Sequence, residues 1–483
     1  MTSNDFGTAQ NRPGQDGRIQ VGQASLFVIG ALIPLAANFF LLPFLWHKLS
    51  PEDYGVLAIA EMQAALFGIF WGLSLEAALA RSYFEWPAAE RRASVGTLWL
   101  ANWGLVLGFG ALSILVSALF SEMVFPRVEF FPLIFLGLSY AVLQRLRLIV
   151  LATLRVMARP KMSLVFTLGS VILSITMVVW LVFMQERGLL GYLIAINASG
   201  VLVAIASALI MARLSQVAFS KATCREALDY SLPLIPAALI GSVAGIIDRF
   251  LIERFLGLNS LGIYALCQRF SGLLESVNDA LKMSYAPFAF RMISERPKGF
   301  REVVATARIR YYAIIALGTL ALGLFIGNFV ELIGRADYAP VARYLPWILL
   351  ATLFNLSYPY FGSGLLFAKR TDLVWMPMAL QTTSVALLGL LLIPVGGLAG
   401  AIVAKILASI LFACFAAYLA HQHFPIPVSW GALVVLLCIG VAGVVLSEHI
   451  HVNLTLKIVF FMMAMFVIGA FFWSGRLVNK RSN

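Results

Sequence analysis

Residues 95–120 read VGTLWLANWGLVLGFGALSILVSALF, and none of these positions carries a charge. At 1.5 Å rise per residue a helix of that length is ~39 Å long, more than the roughly 30 Å hydrocarbon core of a bilayer. The run lacks the residue-by-residue alternation of an outer-membrane strand. It predicts a membrane-spanning helix, and the pattern recurs on both sides. Before it come Ser25 to Trp46 and Gly55 to Leu79; after it Phe130 to Leu154, Met162 to Phe183, Leu189 to Met211, Leu232 to Phe255 and Ser260 to Met283. Further on lie Tyr311 to Leu332, Tyr344 to Phe367, Leu373 to Val395, Leu398 to Leu419, Val428 to Leu446 and Ile458 to Trp473. The fold class is an all-α polytopic membrane protein with 14 transmembrane helices.

Composition agrees. Of 483 residues, 61% are apolar and 12% charged, against about 45–50% and 25% in a soluble domain. This excludes a disordered chain, a disulfide scaffold, a nucleic-acid binder and a cytosolic enzyme with a buried site. The connections are too short for a folded domain, so function resides in the bilayer. The four cysteines do not pair by spacing, and the pairs His421/His423 and His449/His451 lack a carboxylate cluster, so no metal is expected.

Lys and Arg set the orientation. Of the 35, 24 lie on the side of the N-terminal tail, eight on the other side and three within spans. Both termini are expected in the cytoplasm, and the net charge of +12 reads as topology and attraction to anionic lipids. The first apolar run exceeds a signal peptide, so it is expected to stay as a span.

The chain repeats itself. Leu32-Ile33-Pro34-Leu35-Ala36 returns as Leu234-Ile235-Pro236-Ala237-Ala238, offset 202. Gly55-Val56-Leu57-Ala58 returns as Gly262-Ile263-Tyr264-Ala265, offset 207, and Gly188-Leu189-Leu190-Gly191 as Gly397-Leu398-Ala399-Gly400, offset 209. The expected organisation is a cytoplasmic tail (1–24), a six-helix bundle (25–213), a cytoplasmic linker (214–231), a second, pseudo-symmetric six-helix bundle (232–420), two additional C-terminal helices (428–473) and a cytoplasmic tail (474–483). Six crossings per half give both bundles one orientation, a parallel repeat with a cleft between, which suits alternating access.

An ionisable side chain at the bilayer centre costs about 2.5–3.5 kcal/mol on insertion scales and faces a cavity or a partner. Span eight carries Arg269, Glu275, Asp279 and Lys282. Helical geometry puts the last three within about 60° of one another. Glu275 and Asp279 repel if both ionise, which makes them candidates, with Glu61 and Asp248, for carrying a coupling cation. The competing reading is that Lys282 neutralises Asp279, and that Asp248, Arg249, Glu253 and Arg254 form a local anchor. Arg81, Arg145 and Arg147 sit toward the inner leaflet and Lys405 lies within span twelve, where snorkelling is the simple alternative. A path bearing Arg81, Arg145, Arg147, Arg269, Lys282 and Lys405 suits an anion, because a guanidinium fork matches phosphate oxygens. Asn355 and Tyr358 in span ten are candidates for sugar contact. No phosphate loop, catalytic triad or metal-helix motif appears, so an enzyme has little support.

Leu49-Ser50-Pro51-Glu52-Asp53-Tyr54-Gly55 resembles the first-loop signature of Wzx-type polysaccharide flippases of the MATE-like MOP exporter superfamily. Tyr230-Ser231-Leu232-Pro233-Leu234-Ile235-Pro236, then Asp248-Arg249-Phe250-Leu251-Ile252 and Leu261-Gly262-Ile263-Tyr264-Ala265, is similar to that family's most recognisable segment. The resemblance implies a bacterial inner-membrane flippase. It would move an undecaprenyl-diphosphate-linked oligosaccharide to the periplasmic leaflet for O-antigen, capsule or exopolysaccharide assembly. It also implies no cofactor, drive by an H+ or Na+ gradient, contact with membrane lipids, and a polysaccharide polymerase and chain-length regulator as partners. The alternatives are a multidrug exporter of the same superfamily and, with less support, a polysaccharide polymerase.

Overall fold

The computed structural model describes residues 15–333, 335–368, 370–427, 436, 438–444, 446 and 454–480. The first half comprises α1 (Gln15–Lys48), α2 (Pro51–Phe67), α3 (Leu75–Ser82), α4 (Arg91–Val124), α5 (Phe135–Val156), α6 (Pro160–Val178) and α7 (Gly188–Leu214). A linker helix α8 (Lys221–Ser231) leads to α9 (Ile235–Leu256), α10 (Leu258–Glu295), α11 (Phe300–Ile333), α12 (Ala339–Asn355), the short α13 (Tyr358–Phe361) and α14 (Gly364–Phe367), and α15 (Trp375–His423). A last helix, α16, covers Leu454–Lys480. No strand occurs among the described residues. Among the described residues, seven helices are long and apolar enough to cross a membrane, or eight if the bent pair α2–α3 is one span. Val428 to Leu446, His449 and His451 fall wholly or mostly outside the described residues.

The stretch 95–120 forms the middle of α4, and its faces follow membrane rather than aqueous logic. Ser113, Ser117 and Ser121 are buried, while Leu112, Leu115 and Leu119 are 52–69% exposed. Lipid tails solvate leucine as well as a neighbouring helix does, so small and polar residues take the interior, where they allow close approach and hydrogen bonding. Ser117 donates to Gln63 of α2 accordingly.

The Ser50-Pro51-Glu52-Asp53 motif is a helix start. The amide of Asp53 donates to Ser50 Oγ at 3.2 Å, and the amide of Ser50 donates to Asp53 Oδ2 at 2.7 Å. Pro51 takes the first turn, where a missing N–H costs nothing.

The internal repeat is structural. Gly188 and Gly397, 209 apart, both adopt positive φ (52° and 57°) where one span turns into the next. A Cβ on Gly400 would lie 2.7 Å from the carbonyl carbon of Leu392, eight residues back. In a straight helix those residues are ~12 Å apart, so α15 doubles back at Gly397 into two packed segments, at the boundary expected between spans eleven and twelve. Gly191, the mate of Gly400, abuts the Leu181 carbonyl in the same way.

Alternate connections lie on opposite sides. At one end Lys48 meets Glu186 at 2.7 Å, Arg335 donates to the Trp46 carbonyl and Arg127 to the Glu253 carbonyl. At the other end Arg92 donates to the Arg213 carbonyl, and the Arg81 guanidinium lies 4.6 Å from the centre of the Tyr230 ring. The first end is here called outer and the second inner.

The bundles are joined at the outer end. Gly55 of α2 and Gly262 of α10, mates at offset 207, form the crossing: a Cβ on Gly262 would stand 2.7 Å from the Pro51 carbonyl carbon, and one on Gly55 2.9 Å from that of Leu258. Trp46 stacks on Tyr338 at 4.5 Å, and the Tyr338 hydroxyl donates to the Leu49 carbonyl. Toward the inner end α10 keeps one face buried, with Asn278, Tyr285 and Ala289 at most 2% exposed, while Val277 and Met283 on its other side are 41% and 70% exposed. Sequence places the end of span eight at Met283; α10 continues through Pro287 to Glu295.

Candidate functional site

Span two is broken where the sequence predicts one continuous helix. After α2 the chain passes through Gly72, Leu73 and Ser74 with φ of 75°, 45° and 58° before α3 resumes. Left-handed Leu and Ser cost conformational energy and persist only where surroundings enforce them. Arg145 of α5 does so: its Nε donates to the Trp71 carbonyl at 3.2 Å and its Nη2 lies 3.2 Å from Glu76 of α3. The break releases a carbonyl in the membrane, and the arginine answers it.

The break opens onto a cavity of about 630 Å³ between the bundles. Glu61 and Ser74, Arg145 and Arg147, Tyr192, and Arg269 are part of its wall, with Ala238 and Ser242 of α9 closing the side of the second bundle. Arg269 donates from Nη2 to Glu61 Oε1 at 2.7 Å, and Nη1 of Arg249 lies 3.6 Å from Glu61 Oε2. The Arg269 guanidinium also lies 5.4 Å from the Tyr54 ring centre. One carboxylate from the first bundle thus faces two guanidinium groups from the second.

Formal charge in this wall is positive. Three arginines line it against Glu61; Glu76 offsets Arg145 from behind. In a low-dielectric setting that surplus favours an anion. The volume falls in the usual range of about 300–1,000 Å³ for small-molecule sites.

Of the residues singled out in the sequence, the structure brings Glu61, Arg145, Arg147 and Arg269 together. The others lie elsewhere. Arg81 is on the inner rim against Tyr230. Glu275, Asp279 and Lys282 follow along exposed turns of α10 beyond the cavity wall; Lys282 Nζ is 2.5 Å from Asp279 Oδ1, so that pair is neutralised locally. Asn355 accepts from Gln381 at 2.6 Å, and Tyr358 packs on Phe412 within the second bundle, away from the cavity.

Asp248 and Lys405 form a separate centre. Lys405 Nζ lies 2.8 Å from Asp248 Oδ2 and 2.9 Å from the Tyr264 hydroxyl, which donates to the same carboxylate oxygen at 2.5 Å. The ion pair ties α9, α10 and α15, and neither side chain exceeds 14% exposure. Lys405 therefore does not snorkel. Nor do Asp248, Arg249, Glu253 and Arg254 form a local anchor: Asp248 faces Lys405, Arg249 faces Glu61 and Glu253 faces Arg127 at 3.8 Å. Successive helical residues point ~100° apart, so neighbours in sequence find partners on different helices.

Sequence reasoning passed over Glu76 and the approach of Arg249 to Glu61. Glu76 met the criterion applied to Glu61, a carboxylate within an apolar run. Arg249 had the signal but was assigned to its neighbours in sequence.

The profile of a family described as "Polysaccharide biosynthesis protein" matches residues 48–332. The fold is similar to that of the lipid II flippase MurJ in an inward closed conformation, with TM-score 0.68 and 12% identity over 95% of this chain and 100% of that one. A multidrug resistance MATE family transporter of the MOP superfamily matches in its inward-facing conformation with TM-score 0.61 and 15% identity, covering 81% of this chain and 94% of that one. The outward-facing conformation of a MATE family transporter scores 0.53 at 14% identity, covering 83% and 95%. A protein of Haemophilus influenzae described as an uncharacterized membrane protein is 32% identical over 109 residues, 22% of this chain and 26% of that relative's length. The matched residues 48–332 contain the capping box, the Gly55–Gly262 crossing and the Glu61–Arg269 pair: this multi-pass membrane chain belongs to the polysaccharide biosynthesis protein family and has the fold of MOP-superfamily transporters.

Proposed function

We propose that the protein is a flippase of the bacterial inner membrane that carries an undecaprenyl-diphosphate-linked oligosaccharide from the cytoplasmic to the periplasmic leaflet. The observation that carries this reading is the cavity between the bundles, lined by three arginines and one glutamate beneath a tight outer crossing. In this reading the diphosphate is held at Arg145 and Arg269, whose forked donors suit its oxygens. Glu61 is displaced as the anion arrives, which releases Arg269 and Arg249 from their shared carboxylate. The glycan occupies the wet cavity and the polyprenyl tail stays in lipid. A lipid-linked substrate also accords with the similarity to a lipid II flippase.

Both termini are cytoplasmic in this proposal, which rests on the Lys and Arg distribution. The outer closure then faces the periplasm and this conformation receives cargo from the cytoplasm. A cation gradient drives return, with Glu61 and the Asp248–Lys405 centre as the groups that titrate or bind H+ or Na+. The polymerase and chain-length regulator that extend the glycan act after release.

Complementation tests the reading. The chain is expressed in a strain lacking its own polysaccharide flippase, with protein level checked by immunoblot. Restored surface polysaccharide supports the proposal. Gained drug tolerance without polysaccharide points to a multidrug exporter, and unpolymerised periplasmic units accumulating in a deletion strain point to a polymerase.

A further inference from the structure

A second chamber lies inside the first bundle, among α1, α5, α6 and α7, with a volume of about 280 Å³. It shares Tyr140, Gln144, Arg147 and Tyr192 with the central cavity wall, and its other polar side chains include Asn38, Ser170 and Ser174. Arg147 is its only ionisable residue apart from the tyrosines.

The guanidinium of Arg147 is turned toward α6, where Nη1 donates to Ser170 Oγ at 3.3 Å. The Ser170 hydroxyl in turn donates to the Thr167 carbonyl at 2.7 Å. The Nε–H of Arg147 is buried without a partner. The carboxylates nearest in the fold are engaged: Glu76 with Arg145, and Glu61 with Arg269 and Arg249. Among the described residues none lies within salt-bridge distance of Arg147.

A half-buried guanidinium with no counter-charge and an unpartnered Nε–H is stabilised by an anion that has further donors around it. Serine, asparagine, glutamine and tyrosine side chains all supply such donors. The chamber holds the volume of about nine water molecules at ~30 Å³ each, room for a small inorganic anion and part of its hydration shell. We propose that this chamber is a binding site for a small inorganic anion of the halide or phosphate class, seated on Arg147 and reached from the central cavity. It adjoins the central cavity and shares the Arg147 wall with it, but it does not depend on the cargo being a lipid-linked sugar.

Thermal unfolding of the purified full chain in detergent tests this, with sodium chloride or sodium phosphate titrated against sodium gluconate at constant ionic strength. Either anion should raise the midpoint saturably, by about 2–4 °C. Arg147→Gln should abolish the rise and, in gluconate, be at least as stable as the wild type, because its burden of buried charge is gone. A purely structural arginine would instead make the variant less stable in every buffer. Arg145→Gln, which loses Glu76 and the Trp71 carbonyl, should be less stable yet keep the anion response. No response in the wild type, or an unchanged response in Arg147→Gln, would overturn the proposal.

Discussion

Adding one methyl group at the outer crossing should unlock it. In Gly262→Ala the new Cβ would stand 2.7 Å from the Pro51 carbonyl carbon and 2.9 Å from the Gly55 amide nitrogen, where carbon contacts normally settle at ~3.5–4.0 Å. The obstructing atoms, the Pro51 carbonyl oxygen foremost, are backbone on both sides, so rotamer changes give no relief and α2 and α10 must part by roughly 1.5 Å to restore ordinary contacts. Overpacking of this kind costs about 1–3 kcal/mol, and all of it falls on the conformation in which the crossing is closed. The closed-to-open ratio at the outer side should drop about 5- to 150-fold. Spin labels at Lys48→Cys and Asn259→Cys, in a chain with the four native cysteines replaced, report the outer separation by double electron–electron resonance. The wild type should give a short distance and Gly262→Ala a long or bimodal one. Identical distributions in the two proteins, with equal thermal stability, would refute the assignment of this crossing as the outer closure.

Three further outcomes follow from individual contacts. Asp248→Asn leaves Lys405 buried without its counter-charge and should cost about 3–5 kcal/mol, whereas Asp248→Asn with Lys405→Met should recover most of it, both read as unfolding midpoints. Ser50→Ala removes the acceptor that starts α2 and should cost about 1 kcal/mol in the same assay, with Ser50→Asp close to neutral. Glu61→Gln frees Arg269 and Arg249 in a partly exposed site; it should change stability by no more than about 1 kcal/mol, yet alter the dependence of transport on an imposed cation gradient measured in vesicles.

The apolar runs made most spans legible, because burial in lipid demands length and leaves no room for charge. The repeat was legible for a related reason: Gly55, Gly262, Gly188 and Gly397 stand where two backbones touch or a turn reverses, and no other residue serves equally well. Glu61 and Arg269 were legible as candidates because each is an ionisable residue within an apolar run. The break at Gly72–Ser74 was hidden because Leu73 and Ser74 are poor residues for left-handed backbone, and only Arg145, 74 residues from Trp71, holds it. Asp248 and Lys405 are 157 apart, so their pairing belongs to tertiary packing and not to any local pattern. The charges of α10 were read as one polar face, but a helix that outlasts the bilayer carries its polar residues beyond the cavity.

The central claim is that the cavity arginines carry an anionic lipid-linked glycan across the bilayer. Proteoliposomes containing the purified chain and an undecaprenyl-diphosphate-linked oligosaccharide, scored by the fraction of glycan accessible to an added glycosidase, measure that event itself. The account predicts rapid transfer by the wild type and at least tenfold slower transfer by Arg269→Gln at equal reconstitution. Absence of transfer by the wild type, or equal rates for the two proteins, would contradict it.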